Sequence, residues 1–264
     1  MVVFGGLRSH RPKYNFYVII KVMKKRLISS LLVLAILAGL GFWGYTAIRE
    51  RKININDWFV GGQLLGVDVS SYQTEVDFQE LARQDVNFVY IKATEGSLHV
   101  DKSFKEKWAA AEKAGMPAGA YHYFSYGSSG VSQAENFIKT VGSLKGRLIP
   151  AVDMELTVEE VYNPPEKDEV VRGLKAFLAV VEEKYGVKPL IYAQKDYWDK
   201  YLAEDFGDYP RWARNVFYPV WVDIGDDWLI WQYNDRGVLN GYSGEKYIDL
   251  NILNSKKGLD ALKY

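Results

Sequence analysis

From residue 64 onward the chain repeats one alternation: a short run rich in β-branched and aromatic residues, then a stretch with helical spacing, then another short run. Strands separated by helices cannot pair as hairpins, so this order argues for an α/β fold with a mainly parallel sheet. Eight such runs are found, at 64–69, 86–92, 117–123, 147–153, 188–193, 219–222, 228–232 and 246–250. Eight is the number of parallel strands that closes into a TIM-like (β/α) barrel. The spacing predicts helices over 102–115, 131–142 and 165–185, each with a glycine where it should stop. The last three runs lie too close together for full helices between them. The expected barrel is therefore irregular, its final third mostly strand and loop.

Polar residues recur where these runs end. Asp68, Lys92 with Glu95, His122, Asp153 with Glu155, Gln194, Asp223, Gln232 and Asp249 all fall at or just after the carboxyl ends of predicted strands. In a parallel barrel those ends converge on one face, where such enzymes carry their chemistry. One polar strand end reflects only the approach to solvent, but eight, several of them carboxylates, point to a site.

The sharpest of these ends is Arg147-Leu148-Ile149-Pro150-Ala151-Val152-Asp153-Met154-Glu155, an apolar strand running into two acids. Residues i and i+2 of a strand leave the backbone on the same side, ~6.6 Å apart. Two carboxylates that close raise one pKa, which leaves one protonated acid and one ionised base. Glycosidic bond cleavage needs that combination, with Glu155, the longer side chain, as proton donor and Asp153 as ionised partner. Metal binding and helix capping remain open readings of the same pair. With no cysteine a thiolate metal centre is excluded, and with only His10, His99 and His122 a histidine-rich one is not expected, nor any other metal or cofactor. An oxygen-ligand site for magnesium or calcium stays open.

Absence of cysteine also rules out disulfides and a cysteine nucleophile. Charge is unevenly spread. Residues 1–26 hold seven Lys or Arg and no acid, so the rest of the chain carries about seven net negative charges. An acidic body argues against nucleic acid as partner. Leu27 to Ile48 has no charged residue and is long enough to cross a ~30 Å hydrocarbon layer. It reads as an uncleaved signal anchor, with Trp43 and Tyr45 at the interface and the basic segment 1–26 in the cytoplasm. Everything after Arg49 is then outside: a linker over 49–63 and one catalytic domain over 64–264. Met23-Lys24-Lys25-Arg26 looks like a natural start, which makes 1–22 an upstream extension.

The ordered series Gly66-Val67-Asp68-Val69-Ser70 with Gln73, Lys92-Ala93-Thr94-Glu95-Gly96, Gly119-Ala120-Tyr121-His122-Tyr123, Asp153-Met154-Glu155, Trp231-Gln232-Tyr233 and Ile248-Asp249-Leu250-Asn251 resembles glycoside hydrolase family 25. These are the lysozymes that cut bacterial peptidoglycan, and the likeness runs from about Leu65 to Leu253. It implies an irregular α/β barrel and cleavage of the β-1,4 bond between N-acetylmuramic acid and N-acetylglucosamine. It also implies Glu155 as the acid, Asp68, Asp153 and Asp249 as further active-site carboxylates, and Tyr121 and Tyr123 as cleft walls. In a substrate-assisted route Asp153 would orient the sugar's acetamido group; a direct attack by water is the alternative.

His122, Gln232, Tyr233 and Tyr192 complete the expected substrate contacts. His122 has an equally good reading as a core histidine. Strand alternation sends Trp231 and Gln232 to opposite faces, so Gln232 or Tyr233 faces the site. Lys92 and Glu95 read as an ion pair beneath the cleft. One departure stands out: the family's strand before the Trp-Gln pair resembles Trp-x-Ala-x-Tyr, whereas residues 221–225 read Trp-Val-Asp-Ile-Gly. The chain ends eleven residues after Leu253 without a wall-binding repeat, so targeting is expected from the barrel or the tether, and the protein is expected to be a monomer. Two other functions remain: a silent peptidoglycan-binding domain held at the membrane, and a chitinase-like hydrolase. Chitinases usually carry a further acid two residues before Asp153, where this chain has Ala151.

Overall fold

The structure, a computed structural model, describes residues 16–50 and 53–264. In chain order the elements are α1 (Phe16–Arg49), β1 (Leu64–Val69), β2 (Gln73–Val76), α2 (Phe78–Arg83), β3 (Val86–Glu95), β4 (His99–Val100), α3 (Phe104–Ala114), β5 (Ala118–Tyr123), α4 (Gly130–Val141) and β6 (Ala151–Asp153). They continue with α5 (Val158–Tyr162), α6 (Lys167–Tyr185), β7 (Leu190–Gln194), α7 (Lys195–Tyr197), β8 (Arg211–Arg214), α8 (Trp221–Ile224), β9 (Ile230–Gly237), β10 (Tyr242–Gly244) and β11 (Ile248–Leu253). Two compact units result, and the second runs from Asn54 to Tyr264.

α1 holds a 30-residue stretch, Ile20–Arg49, long and apolar enough to cross a membrane. The helix starts before the expected Leu27, at Phe16. Of the expected cytoplasmic segment, residues 1–15 lie outside the described residues.

In the second unit, strands β1, β3, β5, β6, β7, β8, β9 and β11 form a closed barrel, with β4 hairpinned onto β3 and β2 paired to β10 outside it. Every neighbouring pair from β1 through β9 is parallel. β11 alone runs backward, antiparallel to both β9 and β1, and closes the ring. This corrects one expectation. Asp249 lies at the amino end of its strand, not the carboxyl end, and reaches the same face as the other strand ends because its strand is reversed; its register partner is Asp68.

A second correction concerns 219–222. That segment is not a strand but leads into the helical turn α8, and the missing barrel strand is β8, Arg211–Arg214. Two arginines hid it from a hydrophobicity reading. Arg211 is nevertheless buried, its guanidinium lying over the Trp198 ring at 4.3 Å. β6 is also shorter than 147–153, because Leu148 bridges back to Lys263 before the strand begins.

Alternation along each strand divides the core in two. Outward side chains such as Val89, Ile91, Ala120 and Val152 pack against α3, α4 and α6. Inward ones, chiefly Phe88, Tyr90, Tyr192 and Trp212, fill the barrel itself. Tyr90 and Trp212 meet at 4.9 Å between ring centroids, and the Tyr90 hydroxyl donates to the Ile149 carbonyl at 3.1 Å. The strands flanking β3 make room for these rings: a Cβ on Gly66 would lie 2.2 Å from Phe88 and one on Gly119 would lie 2.3 Å from Tyr90. This aromatic plug is the floor beneath the site. The predicted helices end on their glycines, Gly115 and Gly186 both adopting left-handed φ of 69° and 70°.

Candidate active site

Above the plug the inward side chains change from aromatic to polar and line a cavity of about 340 Å³. Asp68, Lys92, Tyr121, Tyr123, Asp153, Glu155, Tyr192, Gln232 and Asp249 all border it. Strand parity explains the selection. Asp68 is two residues beyond Gly66, Lys92 two beyond Tyr90, Tyr121 two beyond Gly119, and Arg214 two beyond Trp212. The same parity carries past the end of β6, where Met154 turns fully into the core and Asp153 and Glu155 both turn into the cleft.

Parity also removes two expected contacts. His122 sits between Tyr121 and Tyr123 and therefore points outward, fully buried and stacked on Phe177 at 4.9 Å. Thr94 bonds its Nδ1 at 2.7 Å and Gln133 Oε1 bonds its Nε2 at 2.9 Å. Burial holds its pKa down to about 4, so it is a neutral core histidine. Tyr233 shares the outward parity of Trp231 and packs against that ring at 5.9 Å, leaving Gln232 as the residue that faces the cavity.

Two walls emerge. On the first, Asp68 Oδ2 accepts from Gln232 Nε2 at 3.0 Å and from Asn251 Nδ2 at 2.8 Å. Both donors are themselves held, Gln232 by the Tyr192 hydroxyl at 3.0 Å and Asn251 by Trp212 Nε1 at 2.8 Å. Burial raises the pKa of Asp68 and these donors oppose the rise, whereas burial and the Asp68 charge push Asp249 up to about 9. Asp249 is then protonated at neutral pH and is hydrogen-bonded to Asp68, where its proton offsets the crowding of charge.

The second wall is Asp153 and Glu155. Burial, then the neighbouring Glu155 charge, holds Asp153 well above the carboxylate range. Its Oδ1 is buried and has no hydrogen-bond partner among the described residues. Burial also raises Glu155, and Arg214 opposes that rise. Tyr123 hydrogen-bonds the Glu155 side chain. Lys92 pairs with Glu95 at 2.7 Å, as expected, yet also borders the cavity and lies over the Tyr123 ring at 4.6 Å.

Arg214, Asp235, Trp212 and Asn251 were missed. Arg214 donates to Asp235 Oδ2 at 2.8 Å, and both line the cavity. Arg214 and Trp212 lie on the unrecognised β8. Asn251 was legible, being two residues past Asp249 on a strand and so on the same face. No group of three or more His, Cys, Asp or Glu suited to a metal occurs among the described residues.

Glycosyl hydrolases family 25 matches residues 67–242 of the chain, from within β1 to the start of β10, which takes in every barrel strand but the closing β11. The chain belongs to this family. A family 25 glycosyl hydrolase from Bacillus anthracis has a structure similar to this one, with a TM-score of 0.69 and 39% sequence identity over 74% of this chain and 91% of that one. Protein YegX of Escherichia coli (strain K12) is 34% identical over 218 residues, 81% of this chain and 76% of that protein. The autolytic lysozyme of Clostridium acetobutylicum is 30% identical over 186 residues, 70% of this chain and 54% of that protein. The chain is thus a glycoside hydrolase of the lysozyme family. In this family 25 hydrolase the departure read at 221–225 moves to β8, the strand before Trp231-Gln232, where Trp212-Ala213-Arg214 has no residue between Trp and Ala.

Proposed function

We propose that the protein hydrolyses the β-1,4 bond between N-acetylmuramic acid and N-acetylglucosamine in peptidoglycan, with Glu155 as proton donor and Asp153 as ionised partner. The observation that carries this reading is the unequal state of the two acids. Asp153 Oδ1 is buried without a donor among the described residues, and Glu155 lines the same cleft. Burial and the neighbouring Glu155 charge favour the protonated form of Asp153. An acetamido N–H of the bound sugar supplies the donor that Oδ1 lacks, which favours the ionised form of Asp153. The proton then resides on Glu155, which delivers it to the leaving oxygen as the acetamido oxygen closes on the anomeric carbon. Water opens the resulting ring and gives its proton to the Glu155 carboxylate, restoring the acid.

Such a wall polymer lies outside the cytoplasm, so this reading places the barrel there and makes α1 its membrane anchor. The silent-binder alternative loses one of its motives, because the 221–225 segment is no part of the barrel wall. Purified peptidoglycan and chitin oligomers digested in parallel, followed by mass spectrometry, test the assignment. New reducing ends on N-acetylmuramic acid, with chitin left intact, are expected. Binding without turnover, or cleavage of chitin alone, would reject it.

A further inference from the structure

The segment after α1 is not a loose tether. Asn54 caps the turn Ile55–Trp58, and its side chain also donates to the Tyr233 carbonyl at 3.2 Å. Asn56 is fully buried and donates to the Asn215 carbonyl at 3.2 Å and to the Tyr233 carbonyl at 3.0 Å. Two asparagines therefore stitch this turn to the barrel, just past the end of β8 and at the middle of β9. The turn then presents Trp58 and Phe59 outward. Phe59 meets Trp221 edge-on at 5.6 Å, and Trp221 carries Val222 beside it. Trp58 is 75% exposed, Phe59 47%, Tyr218 40%, Trp221 41% and Val222 67%.

A patch of large apolar side chains this dense is uncommon on a soluble surface and marks an interaction face. Trp and Tyr are the residues enriched at the boundary between hydrocarbon and water. Only four residues, Glu50 to Ile53, separate the end of α1 from the stitched Asn54, at most ~14 Å of extended chain. A bilayer that held α1 would be within that length of chain from the patch.

We propose that Trp58, Phe59, Tyr218, Trp221 and Val222 form a seat that lies in the headgroup region of a neutral phospholipid surface. This rests on the reading of α1 as a membrane anchor. Neutral lipid is specified because Asp57, Asp223 and Asp227 flank the patch and would be repelled by anionic headgroups. Arg214, which borders the cleft, is four residues before Tyr218, at most ~14 Å of extended chain, so a seated patch would hold the cleft near the membrane face. The polymer presented to the enzyme is then the layer of glycan nearest the bilayer.

The chain has no native cysteine, so single spin labels can be placed cleanly in the full-length protein reconstituted into phosphatidylcholine vesicles. Labels go on Val222→Cys in the seat, on Leu98→Cys at an exposed hairpin elsewhere on the barrel, and on Leu34→Cys in α1. Expected is a gain of accessibility to oxygen and a loss of accessibility to a water-soluble nickel chelate at positions 222 and 34, with 98 remaining aqueous. Position 222 as aqueous as 98, with 34 in lipid, overturns the seat and keeps the anchor. Position 34 aqueous as well overturns both. Shielding of 222 from both relaxants means protein covers the patch, which also rejects the lipid assignment. A second set with Trp58→Cys repeats the measurement from the other side of the patch.

Discussion

The two walls of the cleft carry the same chemical groups in opposite conditions. Asp68 and Asp249 sit across the junction of β1 with the reversed β11, and the Asp68 carboxylate is met by two amide donors, each held by a further ring or hydroxyl. Asp153 and Glu155 leave the end of a parallel strand, and one buried oxygen of Asp153 meets no donor among the described residues. A buried carboxylate whose hydrogen bonds are complete is fixed in place and in charge; one whose bonds are incomplete waits for a ligand to complete them. On the proposed function, this difference separates a wall that would hold the sugar from a wall that would react with it.

Exchanging acids for amides in turn can break this division. Glu155→Gln keeps the shape and removes the proton, and a loss of ~10³-fold or more in kcat on peptidoglycan with KM nearly unchanged is expected. Asp153→Asn comes next, at ~10²-fold, because an amide can no longer answer the acetamido N–H with a charge. On the other wall Asp68→Asn should cost only ~10-fold, divided between kcat and KM. Steady-state kinetics on all three, with circular dichroism to check the fold, decide the matter; a loss for Asp68→Asn equal to that for Glu155→Gln would erase the distinction.

Arg214→Gln sharpens the comparison from the reactive side. The guanidinium opposes the rise in the Glu155 pKa, so its removal lets Glu155 hold its proton to higher pH. The alkaline limb of the kcat/KM profile should move upward, and a shift downward would mean that another group is the acid. The smallest effect is on stability. Asp249 is raised to about 9 in the fold, from an ordinary value of 3.8. The unfolded chain therefore releases this proton first, and the contribution of Asp249 to stability is present at low pH and lost as pH rises through that window. Asp249→Asn removes the penalty and should raise stability at pH 8 by on the order of 2 kcal/mol, with less gain at pH 4. Thermal melting across pH measures it.

Much of the reactive wall was legible in the sequence. Asp153 and Glu155 are two residues apart at the end of an apolar run, and strand parity alone places them together. Parity would equally have sent His122 and Tyr233 outward, away from the Tyr121 and Gln232 that flank them. The holding wall was less legible. Asp68 and Asp249 were both found, but their meeting depends on a strand running backward, and no local signal distinguishes a reversed strand from a parallel one. β8 escaped because its arginines mimic a surface loop, although one is buried under Trp198 and the other reaches into the cleft. Long-range pairing decides both cases, and the residues near each segment do not report it.

The assignment of Glu155 as acid is tested most directly by removing the need for acid. An aryl glycoside of the N-acetylglucosaminyl-N-acetylmuramic acid disaccharide has a leaving group that departs without protonation. On that substrate Glu155→Gln should turn over within ~10-fold of the unaltered enzyme while staying ~10³-fold impaired on peptidoglycan, and Asp153→Asn should be impaired on both. Rescue of Asp153→Asn instead, with Glu155→Gln inactive on either substrate, would contradict the account and exchange the roles of the two acids.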